Sequence, residues 1–385
     1  MNAFTPSSLA RRIAENSLRP AIRPGAGVVS LALGEPDFDT PAPVTEAAVS
    51  ALHSGYTHYV DFSGIAELRE ALAKTVSATA GETYAPDQVF FTHGGTAGIT
   101  AAVLAICNPG DRIVIPEPNY SLYADAAYMA GAEPVMVPTQ SDYHLDLDRI
   151  ERALAGARMI VLCNPCNPTG AVYRREELEA LVSMIERSGA IVLADEAYCE
   201  LVYDGNKFIS LLQFPGLRSQ LLYCQTFSKT FAMTGWRAGY LAGPREIIKA
   251  VGFVNRTYTG TGNAAVQRAA LAATQIGPKL AEPMRAEYAK RRALMVEHAN
   301  AIPGLEAKPP EGTFYLFARY DIDIPSEELS ARLMEGGVAV RAGREYGPSG
   351  EHHIRFSFAT SPENIVEGLS RARIVFERLA RPAAV

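Results

Sequence analysis

The sequence predicts an α/β protein: a large domain on a mostly parallel, mixed sheet flanked by helices, with a smaller α+β domain beside it. Three observations carry that expectation. Short apolar runs alternate with helical patterns, the signature of βαβ units. The runs lack polar alternation, as expected of strands buried on both faces. The chain changes character near residue 280, where a long helical stretch gives way to isolated strands.

In chain order, Val89-Phe90-Phe91 is an apolar strand leading into the loop Thr92-His93-Gly94-Gly95-Thr96-Ala97-Gly98. An alanine-rich, buried helix is expected over 98–106. Strands are expected over 112–115, 159–163, 190–194 and 220–223. A helix opens at Arg175, with Glu176 and Glu177 in its first turn, where acids suit the helix dipole. Polar or proline-bearing turns follow the strands at 116–119, 164–170 and 195–196. Open parallel sheets bind ligands at that carboxyl end. Farther on, 279–302 reads as a long helix, 312–317 and 354–358 as strands, and 326–335 as a helix. The expected division is a segment 1–40 that joins the small domain, a large domain 41–279 and a small domain 280–385.

Composition narrows the function. Of 385 residues, 48% are hydrophobic and 20% charged, enough to build ample core in two or three domains. A net charge of −6 offers no basic surface for nucleic acid and no electrostatic membrane anchor. The N-terminus lacks the charged start and apolar core of a secretory signal. No apolar run reaches the ~18 residues of a membrane span. The expectation is therefore a cytoplasmic protein. Five cysteines, an odd number at low density, argue against a disulfide framework. Cys163 and Cys166 form a C-x-x-C, but no second pair completes a tetrahedral metal set. They read as a buried strand end and a turn, and no metal is expected.

Four polar motifs stand out. Lys229 follows a strand in Gln225-Thr226-Phe227-Ser228-Lys229, with Arg237 close behind. A desolvated lysine has a lowered pKa and can attack a carbonyl, and an arginine nearby can hold a phosphate. That pairing suggests pyridoxal phosphate (PLP); a solvated Ser-Lys pair is the plainer alternative. Asn164-Pro165-Cys166-Asn167-Pro168-Thr169-Gly170 makes a turn that can aim the Asn167 amide into a cleft, or is a turn only. Asp195, in Ala194-Asp195-Glu196-Ala197-Tyr198, ends an apolar strand. Its carboxylate needs a cation or donor there, or caps a helix. Arg355 sits between Ile354 and Phe356 and wants an anion, either a substrate carboxylate or a structural acid.

Together with Gly34-Glu35-Pro36-Asp37-Phe38 and the Gly94–Thr96 loop, these motifs stand in one order over nearly the whole chain. In that order and spacing the chain resembles a class I/II aminotransferase of PLP fold type I. The resemblance implies that Lys229 is the Schiff-base lysine and proton shuttle. It implies that Asp195 partners the pyridine nitrogen and that Asn167 and Tyr198 donate to the ring oxygen. Gly95, Thr96, Thr226, Ser228 and Arg237 resemble the phosphate cup, and Tyr120 the aromatic that stacks on the ring. Arg355, with the Gly34 backbone and Asn167, resembles the clamp on the substrate α-carboxylate. Tyr59, and with it Thr261, resembles the residues that reach the phosphate of a neighbouring subunit, implying a homodimer. The implied reaction is ping-pong transfer of an amino group from an L-amino acid to a 2-oxo acid.

Some positions depart from the family pattern. Thr96 stands where some bacterial aspartate-type members carry a lysine, and Ala342 where the family often has proline. The segment between the first helix and Gly34, where residues often shape the substrate pocket, also reads as short. These leave aspartate specificity open. Arg341 and His93 could meet a side-chain acid, but read as surface residues. A PLP-dependent β-lyase, racemase or synthase would keep the same cofactor residues. A PLP-sensing regulator would need a DNA-binding module, for which the ~30 residues before Gly34 leave no room.

Overall fold

The computed structural model describes residues 4–18, 20 and 25–380. The expected domain spans extend over 1–3, 19, 21–24 and 381–385, which lie outside the described residues. Thirteen strands form three sheets among the described residues. In chain order they are β1 (Val29–Ser30), β2 (Val89–Thr92), β3 (Arg112–Glu117), β4 (Glu133–Pro138), β5 (Met159–Cys163), β6 (Ile191–Asp195) and β7 (Leu221–Thr226). Then come β8 (Gly239–Ala242), β9 (Leu305–Glu306), β10 (Tyr315–Tyr320), β11 (Val338–Ala339), β12 (Arg341–Ala342) and β13 (His353–Ser357).

The central sheet has seven strands in the order β2-β8-β7-β6-β5-β3-β4. Strands β3 to β7 run parallel, while β8 is antiparallel to both β7 and β2. The sheet is thus mostly parallel and mixed. Successive residues of β5 alternate between two cores: Ile160 and Leu162 enter one, Met159, Val161 and Cys163 the other. Both faces are apolar because helices cover both, which explains the unbroken hydrophobic runs.

Two strands carry weaker sequence signals. In β4 a glutamate and two prolines interrupt the apolar pattern, which an edge strand tolerates. β8 is only four residues long and opens on a glycine. The helix expected over 98–106 begins earlier, at Gly94, so the glycine loop itself winds into the first turn. The long helix expected over 279–302 resolves into a 3₁₀ turn, Pro278–Ala281, and a helix, Glu282–Asn300. Pro283 lies in the first turn of the second, where its missing N–H costs nothing.

After residue 300 an antiparallel sheet forms in the order β12-β13-β10-β9. The strand expected over 312–317 begins at Tyr315 instead. Thr313 has φ +65°, which a ladder residue cannot adopt. β1 pairs in parallel with β11, tying the N-terminal segment to this later part. A separate core, including Leu31, Phe314, Phe356 and Phe376, fills it.

Candidate active site

β5, β6 and β7 end side by side, with Cys163 opposite Asp195 and Asp195 opposite Cys224. Beyond those carboxyl ends lies a cavity of about 490 Å³. Gly34, Gly95, Thr96, Tyr120, Asn167, Asp195, Tyr198, Thr226, Ser228, Lys229, Arg237 and Arg355 all line it. Tyr59 and Thr261 do not, and Tyr59 is 94% exposed.

Lys229 lies in a one-turn helix, Phe227–Thr230, directly after β7. Thr226 caps that turn by accepting the Ser228 N–H at 3.1 Å. The Lys229 ammonium donates to the Gly34 carbonyl at 2.5 Å. Burial lowers its pKa to about 8, helped by the Arg355 charge and opposed by Glu35 and Asp195. Asp195 is buried at the end of β6. It accepts the Tyr123 hydroxyl at 2.7 Å and the Ala197 N–H at 3.2 Å. Burial pushes its carboxyl up, against those two bonds and the Lys229 charge. A cationic ligand group would compensate that desolvation.

Other parts of the lining suit anions. Gly94, Gly95 and Thr96 open a helix of 13 residues, so N–H groups and the positive dipole end face the cavity. Arg237 packs over this loop; a Cβ on Gly94 would come within 2.7 Å of its Nη2. A Cβ on Gly239 would stand 2.8 Å from the Gly94 carbonyl carbon, so β8 approaches the loop only as glycine. Arg355 is clamped by donating to Ala32 O at 2.7 Å and Asn167 Oδ1 at 3.1 Å. Its guanidinium lies 4.0 Å from the Tyr315 ring centroid. Its buried Nε has no partner among the described residues. That orphan, in a desolvated cation, fits a carboxylate. Because Asn167 accepts through Oδ1, its NH₂ is left as the donor. The Tyr198 and Tyr315 hydroxyls meet at 2.9 Å, and burial raises the Tyr198 pKa well above the usual phenol value.

The arrangement contains a desolvated amine, a carboxylate that wants a cation, an anion cradle and a carboxylate clamp. The family model for aminotransferase class I and II matches residues 26–371. The chain belongs to the class I and II aminotransferases. It is 35% identical to a bifunctional aspartate aminotransferase and glutamate/aspartate-prephenate aminotransferase of Petunia hybrida, over 94% of this chain and 80% of that one. An aspartate/prephenate aminotransferase of Thermus thermophilus is 37% identical over 92% of each chain. The structure of an aromatic aminotransferase from Pyrococcus horikoshii superposes with a TM-score of 0.89 at 33% identity, covering 96% of this chain and 99% of that one. Aminotransferases of this family depend on PLP and share fold type I.

This aminotransferase has site residues that fit PLP on the observations above. The Gly94 cradle and Arg237 would suit its phosphate, and Asp195 would suit a protonated ring nitrogen. Two lining residues, Tyr123 and Tyr315, carried no sequence signal of their own. Tyr123 stands three residues after Tyr120, one helical turn away, and that spacing could have revealed it. Tyr315 is the reason Gly34 must be glycine, since a Cβ there would fall on its hydroxyl. Arg341 and His93 overturn an expectation. Arg341 is not a surface residue: its side chain is 18% exposed and lines the cavity with Glu345. β12 runs beside β13, and that pairing turns Arg341 inward. His93 is half-buried at the start of the Gly94 helix and outside the cavity lining. Burial and the Arg237 charge lower its pKa.

Proposed function

We propose that this cavity moves an amino group from an L-amino acid to a 2-oxo acid in two half-reactions, with Lys229 as the central group. The observation that carries the reading is the meeting of Lys229 and Asp195 in one cavity with the Arg355 clamp. When bound, PLP supplies an electron-accepting ring for the pair released at the substrate Cα. Asp195 keeps a proton on the ring nitrogen. Asn167 and Tyr198 hold the ring oxygen, and Tyr120 packs on the ring. Gly95, Thr96, Thr226, Ser228 and Arg237 hold the phosphate. Arg355, with Gly34 and Asn167, fixes the α-carboxylate and so sets the direction of the Cα–H bond. Lys229, neutral above about pH 8, tethers the cofactor and carries the proton from Cα.

The same proposal extends to assembly. Tyr59, with Thr261, reaches the phosphate of a second copy in a homodimer; its 94% exposure supports that role. The chain divides at about 40 and 280, and the separate later core supports the second boundary. The enzyme is placed in the cytoplasm. Among the described residues no helix is long and apolar enough to cross a membrane.

Lys229→Ala is the test. It should abolish turnover with any amino donor, and borohydride treatment of the holoprotein should label the peptide containing Lys229. Retained turnover in the variant would refute the assignment. A lyase would instead release pyruvate and ammonia without accumulating the amine form of the cofactor.

A further inference from the structure

Arg341 and Arg355 are direct partners across the β12–β13 ladder, and both line the cavity. Like charges opposite each other in a ladder disfavour it unless each finds an anion. Among the described residues Arg355 has only the neutral Ala32 and Asn167 oxygens as hydrogen-bond partners, with Nε unpartnered, which leaves it free to take an anion from outside. Arg341 has an anion within the chain. Its Nη1 donates to Glu345 Oε2 at 3.1 Å and to Pro20 O at 2.9 Å. Glu345 is pinned in turn, because its Oε1 accepts the Ala342 N–H at 3.2 Å, and it is 4% exposed.

We propose that Glu345 is a built-in counter-ion that occupies Arg341 and so selects substrates with one carboxylate and an uncharged side chain. This rests on the transamination reading and adds the substrate class. With the α-carboxylate on Arg355, the cation beside it in the ladder is Arg341. A second substrate carboxylate would have to displace Glu345 or sit against it, and Glu35 adds another acid to the cavity wall. The first leaves a buried acid without its partner, and the second sets two carboxylates against each other. The lining also offers Tyr346, Ile99 and Leu33, the last an apolar residue 58% exposed at the cavity, to aromatic or aliphatic side chains. Specificity arises by a repulsive element more than by a new attraction.

The test uses holoenzyme and half-reactions, so no acceptor enters. The single-turnover conversion of bound cofactor to its amine form is followed with phenylalanine and with aspartate. The wild type should favour phenylalanine by at least about tenfold in rate constant over Kd. Glu345→Gln keeps an acceptor for Ala342 and should move the ratio toward aspartate by about 30-fold. The further change Arg341→Gln should remove that gain. Arg341→Gln alone leaves Glu345 unneutralised and should move the ratio the other way. A wild type that prefers aspartate overturns the proposal, as does a ratio shifted less than about twofold in both single variants. If no amino acid converts the cofactor, the transamination reading itself fails and this proposal with it.

Discussion

At Lys229, burial strips water from the ammonium while Glu35 and Asp195 supply negative charge. Burial wins, with Arg355 on its side, and the amine titrates near 8 in place of 10.5. The sign follows from the charge type: a lowered lysine pKa means the neutral nucleophile dominates above about 8. In cofactor-free protein, acylation of Lys229 by an amine-selective reagent should therefore be half-maximal near pH 8. Arg355→Met should move that midpoint upward, because a neighbouring cation is gone. Peptide mapping across a pH series measures both, and a midpoint near 10.5 in the wild type would contradict the argument. At this scale the sequence is informative wherever a polar residue interrupts an apolar strand end. Asp195 ends an apolar strand, Asn167 and Lys229 follow one and Arg355 interrupts one, and a polar or charged group beside an apolar run is what makes them conspicuous. Tyr315 and Glu345 are not, since a tyrosine or glutamate is unremarkable until its neighbours are known.

Among elements, the loop after β4 is held by His144, which joins pieces distant in sequence. Its Nδ1 lies 2.7 Å from Glu177 in the helix Arg175–Ser188, and its Nε2 lies 3.7 Å from Glu311, just before β10. Glu311 also accepts the Val172 N–H at 2.8 Å. Hydrogen bonds to Glu177, then to Glu311, raise the His144 pKa from 6.5 to about 9. A raised folded-state pKa stabilises fully below the unfolded value and is lost as pH rises through the folded one. His144→Gln should cost about 2 kcal/mol at pH 6, and the cost should vanish above about pH 10. Urea unfolding of both proteins across that range is the measurement; a cost independent of pH would remove the ion pair from the account. The strands legible in sequence, β2, β3, β5, β6 and β7 of the large sheet with β10 and β13 of the later one, are those whose residues are almost all buried. β4 and β8 were hidden because an edge strand tolerates proline and a four-residue strand has no periodicity to read. The start of β10 moved because the φ of Thr313 depends on its surroundings, not on its residue type.

For the whole molecule, the parallel β1–β11 pair ties the N-terminal segment to the later part of the chain, and both contribute to the cavity lining. A homodimer would complete the phosphate wall through Tyr59. A mixing experiment checks this. Lys229→Ala chains keep Tyr59, and Tyr59→Ala chains keep Lys229. Refolded together, they should form hybrid dimers with one restored site. Cofactor affinity and activity should then exceed those of the Tyr59→Ala homodimer by roughly tenfold, the value of one charge-assisted hydrogen bond. Gel filtration should show twice the chain mass. Additive behaviour of the mixture would exclude a site shared between copies.

The sequence by itself determined the alternation of strand and helix, and with it the parallel sheet. It also determined which polar residues stand at the carboxyl ends of those strands. Both follow from local causes, since periodicity and burial are written along the chain. The tertiary structure alone decided which residues face one another. The β12–β13 register sets Arg341 beside Arg355, and the Glu345 turn gives Arg341 its counter-ion. Tyr123 finds Asp195 across 72 residues of chain, and Tyr198 finds Tyr315 across 117. Such pairings depend on strand register and domain packing, which are properties of the closed core and of no local segment.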